Sequence, residues 1–317
     1  MKVLVTGAFG QIGSELLPAL RDLHGRDNVL ATGRRLRAGA ANDGPVAKLD
    51  VTLGEQLEAT VIRQGTDVIY HLAAVLSATA EQDPERAWRV NMEGLRNVLE
   101  VSRRRNVSQV FWPSSIAVFG PSSPRDDVPQ ETVMRPTTIY GVSKVAGELL
   151  ADYYAGRFGL DVRGVRYPGI ISSGAPPGGG TTDYAVEIFH AALRSGQYTA
   201  FVREDCVLPM MYMPDCINAA LTLMAADRAR LRYQTGYNVS AMSFALGELA
   251  AEISKHIPGF RCAYQPDERQ AIADSWPQSV NDSAARADWD WQPHYDLQAM
   301  TADMLSTLAA RLAQGDA

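Results

Sequence analysis

Short apolar runs alternate with stretches of helical periodicity through the first half of the chain. Apolar runs of this length are typical of buried strands, and their alternation with helices is the pattern of βαβ units in a parallel sheet. The pattern predicts strands at residues 3–6, 29–32, 46–50, 68–72, 110–113 and 162–167. It predicts helices at residues 12–23, 53–63 and 84–105, and a further helix that begins at about Tyr140 and ends before Gly159.

The pattern changes beyond Pro168. Residues 175–180 are rich in proline and glycine and form a loop by composition. Helical segments follow at about residues 183–195, 214–226, 245–256 and 297–313. Ligands bind at the carboxyl edge of open parallel sheets, and we expect the second half to cap that edge. The predicted fold class is α/β. Residues 1–170 form a Rossmann-type doubly wound parallel sheet with contributions from about residues 205–245, and residues 171–317 mainly form a smaller C-terminal α/β substrate-binding cap.

Composition and charge narrow the classes of function. The 317 residues are 46% hydrophobic and 21% charged, with a net charge of −6, which offers no electrostatic basis for binding nucleic acid or anionic membranes. No apolar run approaches the roughly 20 residues of a membrane-spanning helix, and the start of the chain resembles a strand rather than a signal peptide. The cysteines Cys206, Cys216 and Cys262 have unrelated spacings, which argues against a disulfide framework. We expect a soluble, cytoplasmic protein.

Tyr140 and Lys144 are the most informative pair of polar residues. They lie four residues apart on a predicted helix and therefore share one face. The reference pKa of tyrosine is about 10, and a nearby cation stabilises the phenolate and lowers that pKa. The pair is a candidate acid/base, although the same spacing occurs by chance on many helices. It becomes specific only beside a dinucleotide site.

A dinucleotide site is indicated at the first strand–helix turn. Gly7, Gly10 and Gly13 follow a predicted strand and open a predicted helix, so that the backbone can approach a pyrophosphate at the helix N-terminus. The spacing is G-x-x-G-x-x-G rather than G-x-G-x-x-G. The surrounding βαβ pattern, more than the glycines alone, makes the site credible.

The end of the second strand commonly distinguishes NAD from NADP. A carboxylate there binds the adenosine ribose hydroxyls of NAD, whereas an arginine accommodates the 2′-phosphate of NADP. This chain has Gly33 followed by Arg34 and Arg35, with no acidic residue. Asp50, at the end of the third strand, could still hydrogen-bond the adenine edge. The choice between the two cofactors stays open at this point.

Further motifs follow in a recognisable order. After the glycine loop come His71, Leu72, Ala73, Ala74, Asn91, Ser114, Ser115, Tyr140 and Lys144. In this order the chain resembles the extended short-chain dehydrogenase/reductase superfamily. Residues 111–121, 166–172, 176–185, 208–213 and 273–277 resemble, more specifically, its L-threonine 3-dehydrogenase family. The similarity covers nearly the whole chain, and the clear departure is Gly33, where that family carries an aspartate.

The resemblance implies oxidation of L-threonine at Cβ to 2-amino-3-oxobutanoate, with NAD as the hydride acceptor. Tyr140 would be the base, Lys144 would hold the nicotinamide ribose, and Ser114 or Ser115 would orient the reacting oxygen. The cofactor-binding residues that it implies are Gly7, Gly10, Gln11, Ile12, Gly13, Arg34, Asp50, Val51, Leu72, Ala73, Ala74, Asn91, Tyr140, Lys144, Tyr167 and Ile170. The implied substrate contacts are Ser77, Ser114, Tyr140, Gly180, Thr181 and Trp276.

The glycine-rich loop at residues 178–182 offers backbone N–H groups and hydroxyls that suit a substrate carboxylate, because a helix is predicted to begin at about Asp183. Trp276 is either a wall of this site or ordinary core packing. The histidines are scattered and form no Cys/His cluster at metal-ligand spacing, so no metal is expected. His71 ends a buried strand and is expected to be structural.

Two other functions stay open. A nucleotide-sugar epimerase or dehydratase of the same superfamily would share the fold and the tyrosine–lysine pair. A non-catalytic, dinucleotide-sensing regulator would share the fold without needing that pair. The resemblance also implies a homodimer that pairs through the helices near residues 88–105 and 140–158, with L-threonine as the small-molecule partner.

Overall fold

Parallel strands from the first half of the chain form the central sheet. The structure is a computed structural model that describes residues 1–37, 39–175 and 178–314. Its strands are β1 (Val3–Thr6), β2 (Val29–Gly33), β3 (Val46–Lys48), β4 (Val68–His71), β5 (Gln109–Phe111), β6 (Ser114–Ser115), β7 (Asp161–Arg163), β8 (Val165–Tyr167), β9 (Gly169–Ile171), β10 (Gln197–Ala200), β11 (Val207–Tyr212), β12 (Tyr237–Asn238), β13 (Met242–Ala245) and β14 (Arg261–Tyr264). Its helices are α1 (Gln11–His24), α2 (Gly54–Gln64), α3 (Ser77–Gln82), α4 (Pro84–Trp88), α5 (Gly94–Arg105), α6 (Ile139–Phe158), α7 (Tyr184–Ser195), α8 (Met213–Ala225), α9 (Leu246–His256), α10 (Arg269–Asp274), α11 (Ser283–Trp289) and α12 (Leu297–Gln314).

Parts of the predicted segments lie outside the described residues. These are Pro176 and Pro177, which begin the family motif at residues 176–185, Ala38, and the end of the predicted cap at residues 315–317. In the described part of the chain, no helix is long and apolar enough to cross a membrane.

The central sheet has the strand order β3-β2-β1-β4-β5-β7, and all neighbouring strands are parallel. Val3 is paired with Val29 on one side and with Val68 on the other. Strands that are apolar on both faces require cover on both faces. This order, with helical crossovers, is the doubly wound arrangement of dinucleotide-binding folds. The predicted α/β class and Rossmann-type sheet are confirmed.

Helices cover the two faces of this sheet. On one face α2, α5 and α6 pack against the strands through Leu57, Leu99 and Tyr154. On the other face α1, α8 and α11 do so, with Leu16 and Trp289 fully buried. Full burial of a large apolar side chain contributes roughly 1.5–3 kcal/mol. The two layers leave the carboxyl edge of the sheet uncovered, and that edge becomes the site.

The second half of the chain closes over that edge. α7, α9 and α12 share a core that contains Phe189, Leu249 and Met304. β11 pairs with β9 and β13, and β12 pairs with β8, so strands from both halves share the same small sheets. The boundary expected at residue 170 falls inside β9 (Gly169–Ile171). The division into two domains stays a prediction.

Two predicted elements are divided in the structure. The single strand predicted at residues 162–167 is wrong, because the chain breaks at Gly164 into β7 in the central sheet and β8 beside β6 and β12. A Cβ on Gly164 would lie 2.1 Å from the carbonyl oxygen of Trp112, so the close backbone approach requires glycine. The helix predicted at residues 84–105 consists of α4, a π-helical turn at Arg89–Glu93, and α5.

Candidate active site

A cleft of about 1250 Å³ runs along the carboxyl edge of the central sheet, under the second half of the chain. Nearly all residues proposed for the site from the sequence line this one cleft. They are Gly7, Gly10, Gln11, Ile12, Gly13, Arg34, Asp50, Val51, Leu72, Ala73, Ala74, Ser77, Ser114, Ser115, Tyr140, Lys144, Tyr167, Ile170, Gly180, Thr181 and Trp276. Asn91 is the exception.

The glycine loop forms the floor of one part of the cleft. Gly7 follows β1 with φ of +68°, and a Cβ there would lie 2.6 Å from the backbone nitrogen of Ala73, after β4. The loop and the Leu72–Ala74 segment therefore approach as closely as glycine allows. Gln11 opens α1 and donates from Nε2 to the Ile170 carbonyl oxygen at 3.2 Å. This geometry fits a dinucleotide pyrophosphate on the N-terminus of α1.

Asn91 supports the wall of the cleft rather than lining it. Its side chain lies in the π-helical turn, accepts from the Val75 N–H at 2.8 Å and donates to the Val75 carbonyl at 3.1 Å. A second contact, at 3.3 Å, reaches the hydroxyl of Ser143. The turn thus places Asn91 where it holds the backbone beyond β4 against α6. Such turns are frequent at functional sites.

One face of α6 holds the segment that follows β5. Tyr140 hydrogen-bonds the side chain of Ser115. Lys144 donates from Nζ to the Pro113 carbonyl oxygen at 2.6 Å, and Glu148 accepts from the Ser114 hydroxyl at 2.6 Å. Positions 140, 144 and 148 are successive turns of the helix, so each turn binds one residue of the segment 113–115.

The two serines are therefore not equivalent. The Ser114 hydroxyl is committed to Glu148, which also pairs with Arg166 at 2.8 Å in a buried network. The Ser115 hydroxyl faces Tyr140 and accepts from the Ala117 N–H at 3.2 Å. Both line the cleft, yet Ser115 alone of the two lies against Tyr140.

Burial dominates the ionisation of the acid/base pair. It raises the pKa of Tyr140 to about 12, against which the hydrogen bond from Ser115 acts. It lowers the pKa of Lys144 to about 7, opposed by the charge of Glu148. The expectation that Lys144 lowers the pKa of Tyr140 is wrong for this structure. Lys144 donates to Pro113 and lies 4.6 Å from the Trp112 ring centroid, so its charge is not directed at the phenol oxygen.

The glycine-rich loop is already hydrogen-bonded within the protein. Asp183, directly before α7, accepts from the N–H groups of Gly179 and Gly180 at 2.8 and 2.9 Å. The N–H of Thr181 donates to the Ser77 hydroxyl at 3.1 Å, and the two hydroxyls lie 3.0 Å apart. The expectation of free N–H groups at Gly180 and Thr181 is therefore wrong. Ser77 and Thr181 instead present a pair of hydroxyls to the cleft.

Two further residues that the sequence singled out, Trp276 and His71, are both buried. Trp276 lines the cleft and is 5% exposed within the core of the cap, so it serves as both wall and packing. His71 is buried, and its Nδ1 lies 2.7 Å from the Thr6 hydroxyl. Burial lowers the pKa of His71 to about 3 and the charge of Lys144 adds to this, so the imidazole is neutral. Across residues 1–37, 39–175 and 178–314, no group of three or more His, Cys, Asp or Glu side chains could hold a metal ion.

The end of the cleft beside β2 and β3, where the adenosine of a dinucleotide is expected, is open and cationic; it is called the adenosine end. It is lined by Gly33, Arg34, Arg35 and Lys48, and the side chains of the three cationic residues are exposed. Asp50 accepts from the N–H and hydroxyl of Thr52. Burial alone would raise the pKa of Asp50, but these hydrogen bonds and the charges of two nearby arginines lower it, so this carboxylate is ionised.

The sequence interpretation missed Glu148, Asp183, Phe9 and Lys48 as residues of this region. Glu148 carries a detectable signal, since it lies one turn beyond Lys144 on the same helical face. Asp183 also carries one, as an acidic residue at a helix start after a glycine loop. Phe9 also carries one, because it lies inside the glycine loop between Gly7 and Gly10. Lys48 carries none, because its place depends on the pairing of β3 with β2.

Known proteins of similar sequence and structure cover nearly the whole chain. An uncharacterised epimerase/dehydratase of Staphylococcus haemolyticus is 50% identical over 310 residues, 97% of each chain. An L-threonine dehydrogenase from Cupriavidus necator in its holo form is 51% identical, with a TM-score of 0.95 over 97% of this chain and 100% of that one. A monomeric L-threonine 3-dehydrogenase from a metagenome is 46% identical, with a TM-score of 0.95 over 97% and 99%.

The model of the NAD dependent epimerase/dehydratase family matches residues 3–240, which include the glycine loop and the tyrosine–lysine pair. With these residues gathered in one cleft and half the residues shared with its curated relative, the chain belongs to the NAD dependent epimerase/dehydratase family.

Proposed function

We propose that the chain is an L-threonine 3-dehydrogenase, which oxidises the Cβ hydroxyl of L-threonine to give 2-amino-3-oxobutanoate. The observation that carries this is that Tyr140 and Ser115 line the same cleft as the hydroxyl pair of Ser77 and Thr181. The close similarity to L-threonine dehydrogenases over nearly the full chain supports the choice of substrate.

A nicotinamide dinucleotide held in the cleft would supply the acceptor for the hydride from Cβ, and NAD is the cofactor in the family's description. Tyr140 acts as the base for the hydroxyl proton, and the positive charge of an oxidised nicotinamide ring in the cleft would favour its phenolate over the neutral phenol. Ser115 holds the same substrate oxygen by a hydrogen bond. Lys144 lies beside the ring of Tyr140, with Nζ 5.5 Å from the ring centroid, and would hold the nicotinamide ribose. Ser77 and Thr181 orient the amino-acid part of the substrate, with Trp276 as the wall beyond. No metal takes part in this scheme.

The direct test mixes the protein with L-threonine and NAD, then with NADP, and follows the absorbance of the reduced nicotinamide. We expect turnover with L-threonine and little with L-serine, L-allo-threonine or a UDP-sugar. An epimerase or dehydratase returns the hydride to its product and leaves no net reduced cofactor, so the UDP-sugar is followed by chromatography. Conversion of the UDP-sugar alone would establish that alternative. Binding of the dinucleotide without turnover of any of them would establish the regulator.

A homodimer and a cytoplasmic location are part of the proposal. Apolar side chains on α4 and α6 are exposed, with Trp88 at 41%, Leu149 at 63% and Tyr153 at 56%, and such patches commonly mark interfaces. The three cysteines are unpaired, as in a reducing compartment. Because one similar protein is monomeric, light scattering at micromolar concentration tests the dimer, and the mass of a single chain would contradict it.

A further inference from the structure

The end of β2 carries cations where NAD-binding folds place a carboxylate. Gly33 is the last residue of β2, and its register partner on β3 is Lys48. Arg34 and Arg35 follow Gly33 directly, and all three cations line the cleft. The fold therefore gathers three positive charges around the point where the adenosine ribose is expected.

Within the described residues, these cations form no ion pair or hydrogen bond that would account for their positions. Arg34, Arg35 and Lys48 make no hydrogen bond or ion pair with another described side chain, although Arg34 lies near Asp50. The carboxylate of Asp50 is turned to its own loop, where it accepts from the N–H of Thr52 at 3.0 Å and from the Thr52 hydroxyl at 2.7 Å. Unpaired cations on the wall of a ligand cleft indicate an anionic ligand.

The structure also leaves little space for an acid at position 33. A Cβ on Gly33 would lie 3.0 Å from Cδ2 of Phe9 and 3.3 Å from the carbonyl oxygen of Arg35. Phe9 belongs to the glycine loop, so the residue at position 33 packs directly against that loop. The ring of Phe9 would have to move by a few tenths of an ångström to admit a side chain at position 33.

We propose that Arg34, Arg35 and Lys48 form a binding site for a ribose 2′-phosphate, so that the chain binds NADP more tightly than NAD. A guanidinium presents paired donors that match the oxygens of a phosphate. The ribose diol of NAD finds no acid at position 33 to accept its hydrogen bonds. The inference rests on the proposed function only in taking the cleft as the dinucleotide site.

Calorimetric titration without threonine tests the site. Adenosine 2′,5′-bisphosphate and adenosine 5′-monophosphate differ only in the 2′-phosphate, and NADP and NAD form the second pair. Hydrogen bonds to charged groups contribute roughly 1.5–3 kcal/mol, so we expect the phosphorylated member of each pair to bind about ten-fold or more tightly. Equal affinities, or tighter binding of NAD, would overturn the proposal.

Titrations of single-residue variants show which residues bind the 2′-phosphate. Arg34→Gln and Arg35→Gln should each weaken binding of the 2′,5′-bisphosphate about ten-fold and leave the monophosphate unchanged. Arg37→Gln is the matched control, because Arg37 is exposed on the same loop and does not line the cleft. A loss shared equally by both nucleotides would contradict a 2′-phosphate site.

Gly33→Asp should reverse the preference, after Phe9 shifts to admit the carboxylate. A preference for NADP that survives unchanged in Gly33→Asp would count against the proposal, provided that circular dichroism shows a folded protein. The titrations contain no threonine, so preference for NAD would leave threonine oxidation standing. Equally, failure to oxidise threonine would leave the 2′-phosphate site standing.

Discussion

The two ends of the cleft are built in opposite ways. At the reaction end Tyr140 is 9% exposed and Lys144 and Glu148 are 4% exposed, and each has a partner on the segment 113–115. At the adenosine end Arg34 and Arg35 are exposed and bond to no other described side chain. The side chains at the reaction end are held by hydrogen bonds within the protein, whereas the charged side chains at the adenosine end are free to bind a ligand.

This difference in burial indicates where substitutions should have the largest effects on activity and stability. Charges in a low-dielectric interior interact strongly, and an unpaired one is costly, whereas exposed charges are screened by water and salt. Changes at the reaction end should therefore alter turnover or stability by large factors. Changes at the adenosine end should alter cofactor affinity by smaller factors that depend on salt.

The largest effect is expected from Tyr140→Phe. It keeps the ring and removes the proton acceptor, so kcat should fall roughly 10²–10⁴-fold while cofactor binding is retained. Tyr153→Phe, on the exposed face of the same helix, is the control and should turn over normally. Steady-state kinetics and cofactor titration measure the two quantities. Near-normal turnover of Tyr140→Phe would contradict the mechanism.

Glu148→Gln should cost more stability than any surface carboxylate. It leaves Arg166 buried without a counter-charge, which typically lowers the free energy of unfolding by roughly 3–5 kcal/mol. Glu100→Gln weakens ion pairs with Arg103 and Arg104, whose side chains are 37% and 48% exposed, and a hydrogen bond from Tyr154, and should cost about 1 kcal/mol. Urea unfolding of both variants measures this, and equal losses would show that burial does not decide how much an ion pair stabilises the protein.

The two serines should separate activity from stability. Ser115→Ala removes a hydrogen bond to the reacting oxygen and should lower kcat roughly 10²-fold with little change in stability. Ser114→Ala removes a bond to the Glu148 carboxylate and should lower the free energy of unfolding by roughly 1.5–3 kcal/mol. Kinetics and urea unfolding on both variants distinguish the roles. A larger loss of kcat in Ser114→Ala would reverse the assignment.

The buried lysine should make stability depend on pH. The pKa of Lys144 falls from 10.5 to about 7 on folding, so between these values the unfolded chain binds a proton that the folded chain lacks. Stability then rises with pH through this window, by at most about 1.4 kcal/mol per pH unit. The raised pKa of Tyr140 opposes this only above pH 10. Urea unfolding of Lys144→Met should show a shallower rise than the parent protein, and equal slopes would contradict the shift.

The smallest effect is expected from Lys48→Gln at the adenosine end. An ion pair made by an exposed lysine contributes roughly 0.2–1 kcal/mol to the free energy of binding. The affinity for NADP should therefore fall by no more than about five-fold. The difference should shrink further at high salt because the charge is screened. Calorimetry at two salt concentrations measures it. A loss as large as that of the buried variants would remove the contrast between the two ends.

Local patterns were sufficient for much of this molecule. The apolar runs and helical periodicity predicted the central sheet and its helices, since each element buries a face that its own sequence defines. The glycine loop and the Tyr140–Lys144 spacing were also visible, because both are short-range features. Helix α3 was not predicted, since its six residues Ser77–Gln82 carry no extended apolar stripe.

Other features depended on contacts between distant residues. The break at Gly164 follows from the approach of Trp112, and the loss of free N–H groups at Gly180 follows from Asp183 turning back onto the loop. The raised pKa of Tyr140 follows from burial that neither neighbour in the chain determines.

The sequence by itself determined the α/β class, and it predicted the dinucleotide loop and the Tyr140–Lys144 pair as candidate acid/base, because these depend on local spacing. Only the tertiary structure decided that Ser115 hydrogen-bonds Tyr140 whereas Ser114 donates to Glu148. It also decided that Lys48 lies beside Gly33, next to the two arginines that follow β2. The physical reason is common to both. Hydrogen bonds and charges act through space, and which groups meet is set by the packing of elements far apart in the chain.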